Sequence, residues 1–186
     1  WGLGKNTLPT SIVSTGRKFI YDDDQETPNT QRAVFEYDDC QIVFEVRGLP
    51  TGGESSITLA GGNFIGNLFF GSEGFMAIDS RGFQVYLGEK RELAQEMKFT
   101  EPVSDDTGPH AKNFLAAMRS RNHKELNGDV EDGHLSAALA HLANTSCRLG
   151  RQLHINPARE TFGHDAEANR FLSRQYREPF VAPVEV

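Results

Sequence analysis

The sequence predicts an α+β protein: a largely antiparallel, open-faced β-sheet with helices packed on one face. Two features of the order predict it. Short β-branched or alternating runs fill the first two-thirds of the chain, and helix-period apolar stripes dominate the last third. Strands followed by helices suit an antiparallel sheet covered on one side, whereas alternating βαβ units would suit a parallel one. A third feature is composition: thirteen Phe and eighteen Gly among 186 residues favour strands and tight turns over a helical bundle.

The strand-rich region runs over 8–100. Thr10 to Thr15 is a β-branched run closed by Gly16, and Lys18 to Tyr21 is expected to continue as a second extended piece. The polar segment Asp22 to Asn29 contains Pro28 and reads as a loop. Ala33 to Tyr37 and Gln41 to Val46 flank Asp38-Asp39, which predicts a hairpin. Val34 and Val43 are apolar where a one-sided sheet carries polar residues, so both faces of this hairpin are expected to be covered. Ser55 to Leu59 and Leu68 to Phe70 are further short strands. Phe75 to Ile78 and Phe83 to Leu87 flank the turn sequence Asp79-Ser80-Arg81-Gly82.

The helix-rich region runs over 107–176. Ala111, Phe114, Leu115 and Met118 fall on one helical face, with Thr107 as a cap candidate and Pro109 in the first turn. A longer stripe runs from Leu135 to Leu149. Asp129, Glu131 and Asp132 at its start and Arg148 at its end match the helix dipole, and Gly150 is placed to end it. A short strand at Gln152 to Ile155 and a helix from about Asp165 to Arg174 follow. The tail, 177–186, contains Pro179 and Pro183 and is expected to lie extended on the surface. The whole is read as one domain.

Composition narrows the function. The formal net charge of −7 argues against a nucleic-acid partner, which needs a concentrated basic patch, and against an anionic membrane surface. No apolar run approaches the ~18 residues of a membrane span. Cys40 and Cys147 are expected to be two free thiols in a reducing, cytoplasmic setting, with a disulfide as the alternative. The chain opens on Trp1, which reads as a piece of a longer protein whose upstream targeting signal, if any, lies outside it.

Most chemical motifs fail on spacing. Gly2-Leu3-Gly4-Lys5-Asn6-Thr7 lacks the leading glycine of a phosphate loop, and Gly61-Gly62-Asn63-Phe64-Ile65-Gly66 lacks the dinucleotide spacing and is expected to be a turn or bulge between strands. His134 and His141 lie two turns apart on one helix, and no Cys-x-x-Cys or His-Glu-x-x-His occurs, so no metal site is expected. The densest polar cluster is Asp22-Asp23-Asp24-Gln25-Glu26-Thr27-Pro28-Asn29. It reads either as a solvated acidic loop or as a loop at the sheet rim that hydrogen-bonds substrate hydroxyls or a partner domain.

Several segments, in shared order, resemble the bacterial Gfo/Idh/MocA oxidoreductases. They are Trp1 to Gly4; Gly16 to Tyr21 with the acidic loop and Thr30; Phe35-Glu36-Tyr37; and Gly71 to Asp79 followed by Arg81-Gly82-Phe83. His110 to Leu115, Gly133 to Gly150, and Asp165 to Asn169 complete the set. The resemblance implies the C-terminal domain of such an enzyme, contributing the substrate pocket and packing through its sheet face in a homo-oligomer. It implies a dinucleotide-binding Rossmann domain N-terminal to it that holds NAD or NADP, and a sugar, polyol or derivative as substrate. Hydride transfer in the family uses a Lys from a Glu-Lys-Pro-like motif and an Asp/His pair. This chain lacks Glu-Lys-Pro, and the Asp/His motif would lie upstream of Trp1, so no catalytic or cofactor-binding residue is expected here and the chain alone is expected to be inactive. The candidates for substrate contact are Tyr21, Asp23, Asp24, Glu26 and Asn29, with His110 and Lys112 beside them. The alternatives are a non-catalytic ligand-binding or oligomerisation module, and part of an NAD-dependent glycosidase of the same superfamily.

Overall fold

A computed structural model describes residues 2–48, 66–99 and 107–181. The chain forms two compact units, one made of Trp1–Gly48 with Gly128–Val186 and the other of Leu49–Asn127.

The first unit is built on β1 (Ser11–Arg17), β2 (Thr30–Glu36), β3 (Gln41–Arg47) and β8 (Leu153–His154), in the order β3-β2-β1-β8 with every pairing antiparallel. Asp38 and Asp39 turn the β2–β3 hairpin as expected, closed by Tyr37 N–H donating to Cys40 C=O at 2.9 Å. Ile12, Ala33 and Phe35 lie on one face and are buried against α2 (Val130–Leu149), whose Leu142 and Ala143 join Leu8, Leu153, Ile155 and Phe162 in one core. The helix begins and ends where the sequence indicates. The Asp129 carboxylate accepts from Glu131 N–H at its start, and Gly150, at φ 66°, supplies the left-handed terminator.

The opposite face stays largely exposed among the described residues of the unit, so the cover expected for the hairpin is not supplied by them. Val13, Val34 and Val43 stand in register across three strands, and Val43 remains 67% exposed. The alternation rule gave the correct inward residues. The outward valines are left to a cover from outside the described residues of this unit, where α2 packs on the other face.

β8 pairs with β1 only at Ser11 and Ile12. At the next bonding position the ladder is replaced by a side chain: the buried Ser146 hydroxyl accepts from Ser14 N–H at 2.9 Å and donates to Arg151 C=O at 2.8 Å. The helix expected from Asp165 to Arg174 is shorter: α3 (Ala166–Asn169) followed by a 3-10 turn, Arg170–Leu172. Asn169 ends it by folding back, accepting from Phe162 N–H and donating to Gly163 C=O. Lys18 to Tyr21 is not a strand, because Ile20 turns the chain at φ 72°. In the tail, residues 177–181 are exposed and Phe180 N–H donates to Arg177 C=O at 2.8 Å.

The second unit holds a separate antiparallel meander of β4 (Gly66–Phe70), β5 (Gly74–Asp79), β6 (Gly82–Leu87) and β7 (Glu92–Lys98). Among the described residues the strands are thus divided between two sheets. β7 carries no strand signal of its own: Glu, Leu, Ala, Gln, Met and Lys are helix formers, and pairing with β6 decides their conformation. Phe75 stacks on Tyr86 with centroids 4.8 Å apart across β5 and β6. α1 (Thr107–Ser120) buries only Ala117, leaving Phe114, Leu115 and Met118 exposed. The expected strand at 55–59 and the glycine turn at 61–65 lie outside the described residues.

Candidate functional site

The β1–β2 loop, residues 18–29, is braced at both ends. At its base Gly16 lets the chain return closely: a Cβ there would meet the Pro28 ring and Thr30 C=O at 2.9 Å. Asn29 is buried, and its amide is engaged in both senses. Oδ1 accepts from Phe19 N–H at 3.1 Å and Nδ2 donates to Phe19 C=O at 2.9 Å. The Asn29 carbonyl accepts from Gly48 N–H at 2.6 Å, which ties the loop to the end of β3. Within the loop, the Lys18 ammonium bridges the Asp23 carbonyl at 2.7 Å and its carboxylate at 2.8 Å, while Asp23 also accepts from Gln25 N–H. The Lys18 ammonium beside it holds the Asp23 carboxyl below its ordinary value, helped by the Gln25 amide. Gln25 in turn donates to the Thr27 hydroxyl at 2.7 Å.

The remaining acidic groups point outward. Glu26 lies 3.8 Å from Arg148 at the C-terminal end of α2 and stays largely exposed. Asp22 and Asp24 are exposed and make no ion pair among the described residues. Tyr21 is about half exposed, near Gly48.

Five of the sequence candidates, Tyr21, Asp23, Asp24, Glu26 and Asn29, therefore share one loop. Their jobs differ. Asn29 and Asp23 spend their polar atoms bracing the loop, whereas the Asp24 and Glu26 side chains are exposed and the Tyr21 hydroxyl lies near Gly48. His110 and Lys112 are exposed on α1, in the other unit. Three contributors were not read as site residues: Lys18, which braces the loop; Arg148, whose placement depends on α2 packing; and Ile20, at the exposed tip. Spacing carries no signal for them, since each acts through the folded loop.

Near α1, Asn113 accepts from Asn127 N–H at 2.9 Å and donates to Glu125 C=O at 2.7 Å, holding a 3-10 turn, His123–Glu125, against the helix. Phe114, Ala117, Met118, Arg121, His123 and Leu126 line an open apolar groove of about 270 Å³ there. Among the described residues no group of three or more His, Cys, Asp or Glu is arranged to hold a metal ion. Both sheets are antiparallel, and the described residues offer no strand–glycine turn–helix cradle of the kind that receives a dinucleotide pyrophosphate.

The sequence matches the profile of the Gfo/Idh/MocA oxidoreductase family, C-terminal alpha/beta domain, over residues 57–182. The chain belongs to this oxidoreductase family, as its C-terminal domain. No curated protein matches the sequence. Solved structures of similar fold include a candidate oxidoreductase from Klebsiella pneumoniae, with a TM-score of 0.56 and 14% identity over 89% of this chain and 48% of the other. The candidate oxidoreductase yvaA from Bacillus subtilis gives 0.53 and 10% identity, covering 80% and 47%. One from Thermotoga maritima gives 0.51 and 17%, covering 83% and 42%. This oxidoreductase domain therefore spans about half the length of the solved structures it resembles. The acidic loop lies before the profile-matched span, so its reading rests on its own geometry.

Proposed function

We propose that this domain forms the substrate side of an NAD(P)-dependent oxidoreductase acting on a sugar, polyol or derivative, with the cofactor held by a Rossmann domain N-terminal to it. The observation that carries this reading is the braced loop 18–29. Its ends are braced and it carries exposed carboxylates and a phenol, and such groups suit vicinal hydroxyls, each of which can donate to a carboxylate oxygen. Asp24, Glu26 and Tyr21 are the contact residues, and Asp23 and Asn29 position them. His110 and Lys112, on α1 of the other unit, are candidates apart from the loop. Hydride transfer is the chemistry the nicotinamide supplies when bound. The proton-handling groups belong with it in the N-terminal half, and this domain alone is inactive.

The test is calorimetry of the full-length protein, with nicotinamide cofactor present, against a panel of sugars and polyols. Binding that weakens about tenfold or more in Asp24→Asn or Glu26→Gln supports the assignment, a charged hydrogen bond contributing about 1.5–3 kcal/mol. Binding unchanged in both variants refutes it. Turnover of any panel member by the 186-residue chain alone, in a nicotinamide-coupled assay, would sink the inactivity claim.

Assembly is the domain's second task. The valine row of the open sheet face, flanked by Thr15, Arg32 and Glu45, suits a second copy of the chain. Both cysteines are free thiols, which supports a reducing, cytoplasmic setting, and no described helix is long and apolar enough to cross a membrane.

A further inference from the structure

Two properties of Ile20 work against the stability of its own unit. Its φ of 72° lies in the left-handed region, inside a γ-turn closed by Tyr21 N–H donating to Phe19 C=O at 2.9 Å. A β-branched side chain is strained there. The same side chain is 91% exposed, more than any other large apolar residue described in the chain. Exposed apolar surface gains nothing from water, and strain persists only where surrounding structure enforces it. The loop enforces it from both sides: Asn29 clamps the amide and carbonyl of Phe19, the residue before Ile20, and Lys18 is tied to Asp23. Phe19, nearly half exposed, precedes Ile20 and widens it into a small apolar knob, with the exposed Asp22 two residues on.

We propose that this knob, Ile20 with Phe19 beside it, is where the domain seats against the N-terminal half of its own polypeptide, in an apolar socket bordered by basic groups. The occupant follows from length and shape. The chain matches a C-terminal domain and spans 48%, 47% and 42% of the solved structures whose fold it shares, so the N-terminal half proposed above would need a seat on this domain. A second copy fits less well. An isologous contact needs a self-complementary patch, which the flat valine face of β1–β3 provides, whereas a single projecting knob calls for a differently shaped socket. The inference goes beyond the substrate reading and holds for any substrate.

The experiment uses the full-length protein with Ile20→Asn and Ile20→Val. Asn tolerates positive φ, so it keeps the turn while removing the apolar tip. Val keeps an apolar tip. The readout is the rate at which dilute protease separates the two halves, alongside the mass in light scattering and the thermal melt. Loss of a buried isoleucine should speed separation by Ile20→Asn about tenfold or more, with Ile20→Val close to wild type and the assembled mass unchanged. Equal rates in wild type and Ile20→Asn overturn the proposal. So does a fall in assembled mass without faster separation, which would assign the knob to a second copy. A melt of the 186-residue chain lowered by Ile20→Asn also overturns it, because Ile20 would then pack within its own unit.

Discussion

Gly16 and Asn29 shape the loop more than its carboxylates do. A methyl group at Gly16 would press on the Pro28 ring and the Thr30 carbonyl at 2.9 Å, and neither is the free end of a flexible side chain. Gly16→Ala should therefore cost about 1–3 kcal/mol in urea unfolding, in the range of overpacking. Asn29→Ala removes the acceptor for Phe19 N–H and the donor to Phe19 C=O in a part-buried position, with an expected cost of about 1–3 kcal/mol. Asp24→Asn, fully on the surface, should change stability by less than about 0.5 kcal/mol. That contrast separates bracing from presenting. A destabilised Asp24→Asn, or an unaffected Asn29→Ala, would exchange the roles assigned to them. In the sequence the density of carboxylates makes this loop a candidate, but it does not carry this division of labour. Whether an amide faces a ligand or its own backbone is decided by the return of the chain over Gly16, and no local pattern records that.

Ser146 and Asp165 act at the scale of elements, each joining pieces that the sequence shows separately. The Ser146 hydroxyl stands in for a strand where β8 stops pairing with β1, so Ser146→Ala leaves Ser14 N–H and Arg151 C=O without that partner. The expected loss is about 1–3 kcal/mol, and amide exchange at Ser14 should accelerate with it. Asp165 caps α3 through Ala168 N–H and forms a two-point pair with Arg151, at 2.6 and 3.0 Å. Arg151, then the Ala168 amide, hold its carboxyl below the ordinary value of 3.8. A depressed folded-state value means the contribution is complete above the unfolded value and is lost as pH falls through the folded one. Stability from this pair should thus be constant above about pH 4 and decline below it. Asp165→Asn keeps a capping acceptor but not the charge, so its acid limb should be shallower; an identical limb would remove the pair from the account. Helix ends were legible here, since Asp129 and Gly150 are local signals with local causes. β7 and the shortened α3 were not, because pairing with β6 and the folded-back Asn169 override propensity from a distance.

For the whole molecule, the class of fold could be read from order alone, but the pairing of its strands could not. Alternation marks which residues share a face and says nothing about which strands share a ladder. Among the described residues β1 meets β8 across residues 11 to 154, and β4 to β7 pair in a second sheet. That pairing also bears on the outward valines. In a single sheet covered by several helices, Val34 and Val43 would be core. In a four-stranded sheet with one long helix, they are left facing out. An apolar row of this kind, in register across β1, β2 and β3, is a surface that assembly would bury. Val43→Glu places a charge at the most exposed point of the row, where the folded unit has no need of the methyl groups, so the melt of the isolated chain should move by no more than about 0.5 kcal/mol equivalent. In the full-length protein the same change should split the assembly, read as a drop in light-scattering mass at fixed concentration, because an unpaired carboxylate in a closed interface carries a desolvation penalty of several kcal/mol. If the mass stays constant while the charge is present, the valine face is not the contact between copies. The outward valines would then need another cover, and the second task assigned to this domain would have to be withdrawn while its membership in the family stands.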